Sequence, residues 1–189
     1  MLTYNPKKCA RLEIRAWQAH HVGKKAALAY YLTRHQMEVF GLGPIVAFRA
    51  LFFLLPAVRA HNYRKKEDAI THTTKYYEYL KKHVEYSYNP LKVAEQEVDW
   101  WWIHDDLEKS ENKSQLQEAF AHLYGTIIGI PEELLGEAAA YKVMATIEHD
   151  IAETKEIDEN KSNNAWKKAE EALVGFYTFM QEAEKRALC

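Results

Sequence analysis

The sequence predicts an all-α protein, a helical bundle of six or seven helices, folded as one compact domain over residues 1–189. Three observations predict it. Gly and Pro are scarce, at seven and five residues, so the turn-rich rhythm of an all-β chain is missing. Apolar residues recur at helical spacing, as in Ala165, Ala169, Leu173, Phe176 and Met180 near the C-terminus. Helix-start signals recur too: Asn5-Pro6 and Asn89-Pro90 each place a capping Asn before a Pro at the first helical position. A composition of 48% hydrophobic and 28% charged residues suits a packed core rather than disorder.

Asn5-Pro6 opens a first helix, and helix-compatible sequence continues to Phe40, where "GLGP" stops it. Pro44 opens a second. Its "PIVAFRALFFLLPAV", the most apolar run of the chain, falls short of the roughly 20 residues a membrane span needs. It reads as a buried helix, with membrane contact as the alternative, and Pro56 is expected to kink or break it. A third helix covers 64–86, with Tyr76, Tyr79, Leu80 and His83 at helical spacing. The fourth begins at Asn89-Pro90 and carries "EVDWWWIHDDLE". "KSENKS" is a polar break, after which Ser114 and Gln117 form the pattern of a capping box for a fifth. Ile130-Pro131 starts a sixth helix. "DENKSNN" then reads as a linker to a last helix over 162–187.

Net charge is −2, but it is unevenly spread: residues 1–94 hold 16 Lys and Arg against 6 Asp and Glu, and residues 95–189 hold 9 against 21. Two halves attracting each other within one fold account for this better than a nucleic-acid surface does, because only "RKK" at 64–66 and scattered Lys-Lys pairs cluster. Nucleic acid is therefore disfavoured as a partner. Cys9 and Cys189 belong to no CxxC pair, which points to a reducing compartment and makes the cytoplasm the expected location. The N-terminus turns charged within eight residues and lacks the apolar stretch of a secretory signal. No transmembrane segment is expected, and oligomerisation is left open.

An internal echo runs through the chain. Residues 8–21, "KCARLEIRAWQAHH", align without gaps onto residues 92–105, "KVAEQEVDWWWIHD", with five of fourteen positions identical. The shared core is A-x-x-E-[IV]-x-x-W-x-x-H, through Glu13 and Glu97, Trp17 and Trp101, and His20 and His104. This predicts a duplication into repeat halves 1–89 and 90–189. Arg11 and Arg15 of the first copy align with Glu95 and Asp99 of the second. That inversion turns repulsion into attraction if the halves dock about a pseudo-twofold axis.

At 100° per residue, Ala94, Glu97, Val98, Trp101, Asp105 and Glu108 share one third of the fourth helix, with His104 at the margin. Trp100 and Trp102 point to either side. Carboxylates thus stand where Leu belongs, and a buried one must meet a cation, a donor, a metal or water. Three readings follow. His104, Asp105 and Glu108 are candidate ligands of a divalent metal ion in a helical bundle, although no E-x-x-H occurs and Glu97 lies roughly 10 Å from His104 along the helix. The dipeptides His104-Asp105 and His149-Asp150 each resemble the two-residue signature of the all-helical HD phosphohydrolases. That resemblance implies a divalent ion held by His72 or His83, His104, Asp105 and Asp150; "IHDDLEK" lacks the small residue that usually follows the family's pair. In the third reading, each Glu-x-x-x-Trp-x-x-His braces its helix, its polar groups satisfied by Arg, by His or by some of the twelve tyrosines.

There is no Gly-rich phosphate loop, no G-x-S-x-G elbow, no HExxH and no activated cysteine, so nucleophilic catalysis has no support. The expectation is a soluble helical protein with a polar interhelical site for a metal ion or small molecule. Glu13, Trp17, His20, Glu97 and Trp101 would line the pocket, and His104, Asp105 and Glu108 would serve a metal. The alternative is a non-catalytic scaffold in which the same groups satisfy one another. Whether it is an enzyme stays open.

Overall fold

The computed structural model describes residues 1–107, 110, 112–154 and 157–188. Among them are eight α-helices, one short 3-10 segment and no strand: α1 (Pro6–His21), α2 (Lys25–Phe40), α3 (Pro44–Asn62), α4 (Lys66–Lys81), α5 (Pro90–Asp106), α6 (Ser114–Ile128), the 3-10 turn Glu132–Leu135, α7 (Gly136–Glu153) and α8 (Glu159–Ala187). The fold is all-α as expected, but the helix count is higher. The additional helix arises at Gly23, whose φ of +69° ends what reads as one helix to Phe40. Gly23 and Lys24 donate their N–H groups to the carbonyls of His20 and Ala19, a left-handed glycine cap that satisfies the last turn and redirects the chain.

Local chemistry sets the other boundaries. Asn5 accepts from Lys8 N and Asn89 from Leu91 N and Lys92 N, so both Asn-Pro starts work as read. The capping box at Ser114 does not form. Ser114 is the first helical residue of α6 and its N–H goes to Asn112 Oδ1, while Gln117 Nε2 reaches the Gly136 carbonyl. Asp158 caps α8 by accepting from Lys161 N, so most of the expected linker "DENKSNN" is already helix. The helix read as 64–86 stops at Lys81. Pro56 does not break α3, which passes through it to Asn62.

Each helix packs against the next in sequence, and α8 closes back on α1, so the eight form a ring. One apolar cluster joins α1, α7 and α8 through Ile14, Ala145, Leu173 and Phe176. Another joins α3 to α6 through Ala50, Leu80, Val93 and Leu123. Two ion pairs tie the basic to the acidic half at the seams: Arg11 to Glu170 at 3.4 Å across α1 and α8, and Lys66 to Asp99 at 2.8 Å across α4 and α5. All four groups are substantially exposed, so each pair orients more than it stabilises.

The expectation of a buried helix at 44–58 holds on one side only. Ala47, Ala50, Leu51, Ala57 and Ala60 face inward, small side chains that let α2 and α4 approach closely. Ile45, Phe48, Phe52 and Leu55 are exposed. The run is apolar all round, yet the ring has neighbours for only one of its faces. Among the described residues, α3 is the one helix that reaches membrane-spanning length and hydropathy, with a mean hydropathy of 1.4 in its most apolar window.

Candidate functional site

The stripe on α1 places Ile14 and Ala10 in the core and Glu13 between them, at the inner surface of the ring. The Glu13 carboxylate is 12% exposed and meets three partners. Lys142 Nζ of α7 lies 2.5 Å from Oε1, the Tyr177 hydroxyl of α8 donates to Oε2 at 2.6 Å, and His35 Nε2 of α2 lies 3.7 Å from Oε2. Since Tyr177 gives its single proton to Glu13, the 2.7 Å contact between His35 Nε2 and the Tyr177 oxygen has the imidazole donating. Burial pushes Glu13 up, but the charge of Lys142 and the hydrogen bonds from Lys142 and Tyr177 outweigh it and hold the carboxylate below its usual range. Burial pushes His35 down and Tyr177 well up. The set is therefore an ionised Glu13, a neutral donating His35 and a protonated Tyr177 around a buried lysine.

Across the ring, α5 presents Glu97 in a related way. The Tyr77 hydroxyl of α4 donates to Glu97 Oε2 at 2.9 Å and Trp101 Nε1 donates to Oε1 at 3.2 Å, one turn along the same helix. Among the described residues, no lysine contacts it. Burial dominates and raises Glu97 above its usual value, offset only in part by Tyr77, Trp100, Trp101 and the field of Lys142. The correspondence extends outward. Tyr4 Oη donates to the Tyr177 carbonyl and Tyr88 Oη to the Tyr77 carbonyl, each at 3.1 Å. Gln181 reaches the Tyr4 carbonyl and Lys81 the Tyr88 carbonyl. Both tyrosines open a Tyr-Asn-Pro triplet, at 4–6 and 88–90.

Beside Glu97 lies a cavity of about 180 Å³; Glu13 reaches it only through its partners His35 and Tyr177, and the expected pocket residues Trp17 and Trp101 are not among the described residues that line it. It is bounded by α2 through Leu32, His35 and Gln36, by α5 through Glu97, and by six tyrosines, Tyr4, Tyr76, Tyr77, Tyr86, Tyr124 and Tyr177, with further apolar walls. Gln36 is 4% exposed, and among the described residues its Oε1 has no donor. It is also the one fully buried residue of α2. A larger groove along α5 and α6, past Asp99, Glu118 and Glu132, is a more open surface trough.

The remaining candidates divide. Trp17 packs against the first core cluster, with Lys142 Nζ 5.3 Å from its ring centre and His149 edge-on at 4.7 Å. The other two tryptophans of the triplet serve different neighbours: Trp100 stacks at a tilt on Phe120 at 5.1 Å, and Trp102 meets His61 at 4.6 Å. His20 is exposed and lies outside the cavity wall. His104 and Asp105 part company. His104 Nε2 approaches Asp150 Oδ2 at 3.1 Å, whereas Asp105 Oδ2 takes Arg64 Nη1 at 2.6 Å and His61 Nε2 at 3.1 Å. Glu108 lies outside the described residues. Among the described residues, no group of three or more His, Cys, Asp and Glu side chains is arranged to hold a metal ion.

Asp150 belongs to a chain of histidines and carboxylates that continues through His149, at 3.2 Å, to Glu153, at 3.1 Å, and His21, at 3.5 Å. Burial opposes the charge of His149, but the hydrogen bonds it donates to Asp150 and Glu153 raise its pKa to about 9. Asp150 is driven the other way, to about 2: burial opposes, and His104 and His149 prevail. The chain of contacts links α1, α5 and α7.

Sequence reasoning missed Lys142, Tyr177, Tyr77, His35 and Gln36. Lys142 had a signal. It stands alone among small residues on the stripe Ala138, Ala139, Lys142, Ala145 and Thr146, all buried, where a charge demands a partner. No protein-family model matches this chain, and no characterised protein or solved structure shows significant similarity to it.

Proposed function

We propose that the protein binds a small organic cation, an amine or ammonium with an aromatic or compact apolar body, in the cavity at the centre of the ring. The carrying observation is Glu97, a buried carboxylate on the cavity wall that accepts from the neutral donors Tyr77 and Trp101 and has no contacting cation among the described residues. Its counterpart Glu13 has Lys142. A ligand ammonium would play the part for Glu97 that Lys142 plays for Glu13, with the Gln36 carbonyl oxygen as a second acceptor. Tyrosine faces around it favour the same charge. The volume compares with the roughly 150 Å³ that accommodates benzene in an apolar engineered cavity, which sets the ligand at the size of a single ring with a short chain.

A divalent ion is the weaker version of this reading, since His104 and Asp105 face different partners. A thermal-shift screen tests the proposal, because a ligand of the native state raises the melting temperature by mass action. Tyramine, phenethylamine and choline should stabilise the protein, while phenol and phenylethanol should do so less, and Glu97→Gln should erase the difference. Divalent ions and nucleotides belong in the same screen, with metal analysis of the purified protein beside it; stoichiometric metal lost in His104→Ala would favour the ion. If no amine, neutral analogue or ion shifts the melting curve, the scaffold reading stands, in which these groups only satisfy one another.

We also infer a duplication of halves 1–89 and 90–189. It is supported by the two Tyr-Asn-Pro starts, the reciprocal Tyr177 to Glu13 and Tyr77 to Glu97 bonds, and left-handed Gly41 and Gly129 closing α2 and α6. In this reading one ancestral glutamate acquired an internal lysine and the other kept its place for a ligand.

A further inference from the structure

We propose that the outer face of α3 docks on an anionic lipid surface, with the helix lying in the plane of the bilayer interface. At 100° per residue, Ile45, Phe48, Phe52, Leu55, Arg59 and Tyr63 fall within about 80° of arc. All six are exposed, with Ile45 at 68% and Phe52 at 62%. Phe48 and Phe52 meet edge to face at 5.4 Å, so they form one continuous apolar surface. An unpartnered apolar stripe of this kind marks an interaction site rather than scattered surface residues.

Charge decides what covers it. No Asp or Glu occurs between Glu38 and Glu67, while that segment carries Arg49, Arg59, Arg64, Lys65 and Lys66. Arg64 and Lys66 are engaged with Asp105 and Asp99. Arg59 lies over the Tyr63 ring, and neither it nor Arg49 has an acidic partner among the described residues. A second copy seated face to face would bring both pairs of arginines together with no acid in the segment to neutralise them. An anionic interface instead satisfies the arginines at headgroup level while the phenylalanines enter the acyl boundary, the arrangement of a monotopic amphipathic helix. Pro56 fits this placement. It removes the intrahelical partner of the Phe52 carbonyl, at a residue of the bare stripe, where water and headgroups have access. Spanning is a different matter: the inner face of α3 is committed to α2 and α4.

Vesicle co-sedimentation of the full chain tests this, using phosphatidylcholine vesicles with and without phosphatidylserine. Binding is expected to the phosphatidylserine vesicles and not to phosphatidylcholine alone. Arg49→Gln and Arg59→Gln should each weaken it about fivefold, and Phe48→Ser with Phe52→Ser at least about tenfold. Circular dichroism melting should be unchanged in all of them, because these side chains support no core. Lack of binding to either vesicle, or binding that survives the phenylalanine replacements, would overturn the proposal. So would a dimer in sedimentation velocity that the same replacements dissolve, or capture of an acidic protein by this face in preference to vesicles.

Discussion

Glu13 and Glu97 occupy matching positions on α1 and α5 yet hold their protons in opposite ways. A carboxylate with a lowered native pKa contributes stability above its unfolded value of about 4.3 and loses it as pH falls through the native value. Glu13 is of that kind. Glu97 is the reverse: with its native value raised, its contribution is present below about 4.3 and is lost as pH rises, so the ionised form costs stability at neutral pH. Glu97→Gln is therefore expected to raise the melting temperature at neutral pH and to change it little at about pH 4. Glu13→Gln should instead cost about 3–5 kcal/mol at neutral pH in urea unfolding, because it leaves Lys142 buried without its counter-charge. His149 gives a third signature. Its stabilisation is complete below about 6.5 and is lost as pH rises through about 9, so unfolding profiles of the native protein should fall across that window and those of His149→Gln should not. The two glutamates and their tryptophans were legible because an ionisable group on an apolar stripe must find company. Lys142 carried the same signal on its own stripe, but its pairing with Glu13, like that of Tyr177, spans more than a hundred residues and no local period encodes it.

At the scale of helices, boundaries set by a side-chain cap were readable and those set by backbone handedness were less so. Asn5 and Asn89 announce themselves, whereas Gly23 ends α1 through a positive φ inside a sequence whose composition would continue a helix. The bare face of α3 escaped notice for a related reason: hydrophobicity says that a surface can be buried, and only the arrangement of neighbours says whether it is. Packing between α7 and α8 offers a sharp test. A Cβ placed on Gly175 would come within 2.5 Å of Tyr141 Cδ1, whose ring stacks on Phe179 at 5.3 Å. Gly175→Ala improves intrinsic helix propensity by about 1 kcal/mol, yet the overpacked ring should cost about 1–3 kcal/mol. A net loss in chemical denaturation is expected, and Tyr141→Ala in the same background should recover part of it.

For the molecule as a whole, the closing contact of α8 on α1 brings the chain ends together: Leu2 N donates to Glu184 and Gln181 to the Tyr4 carbonyl. A circular permutant that joins the ends through a short flexible linker and opens the chain within 82–89 should fold and keep the cavity, as judged by melting and amine binding. Failure would mean that the connection from α4 to α5 does more than link them. The ring order itself was beyond the sequence, which supplied helices and an echo between two of them but not which helix would close on which.

Ring closure also imposes a schedule on synthesis. Glu13 is synthesised well before its partners Lys142 and Tyr177, so α1 must wait with that carboxylate uncovered until α7 and α8 have been made. Tyr77 and Glu97, by contrast, can meet midway. Losing α8 would therefore strand α1, whose closing partner it is, rather than merely shorten the bundle.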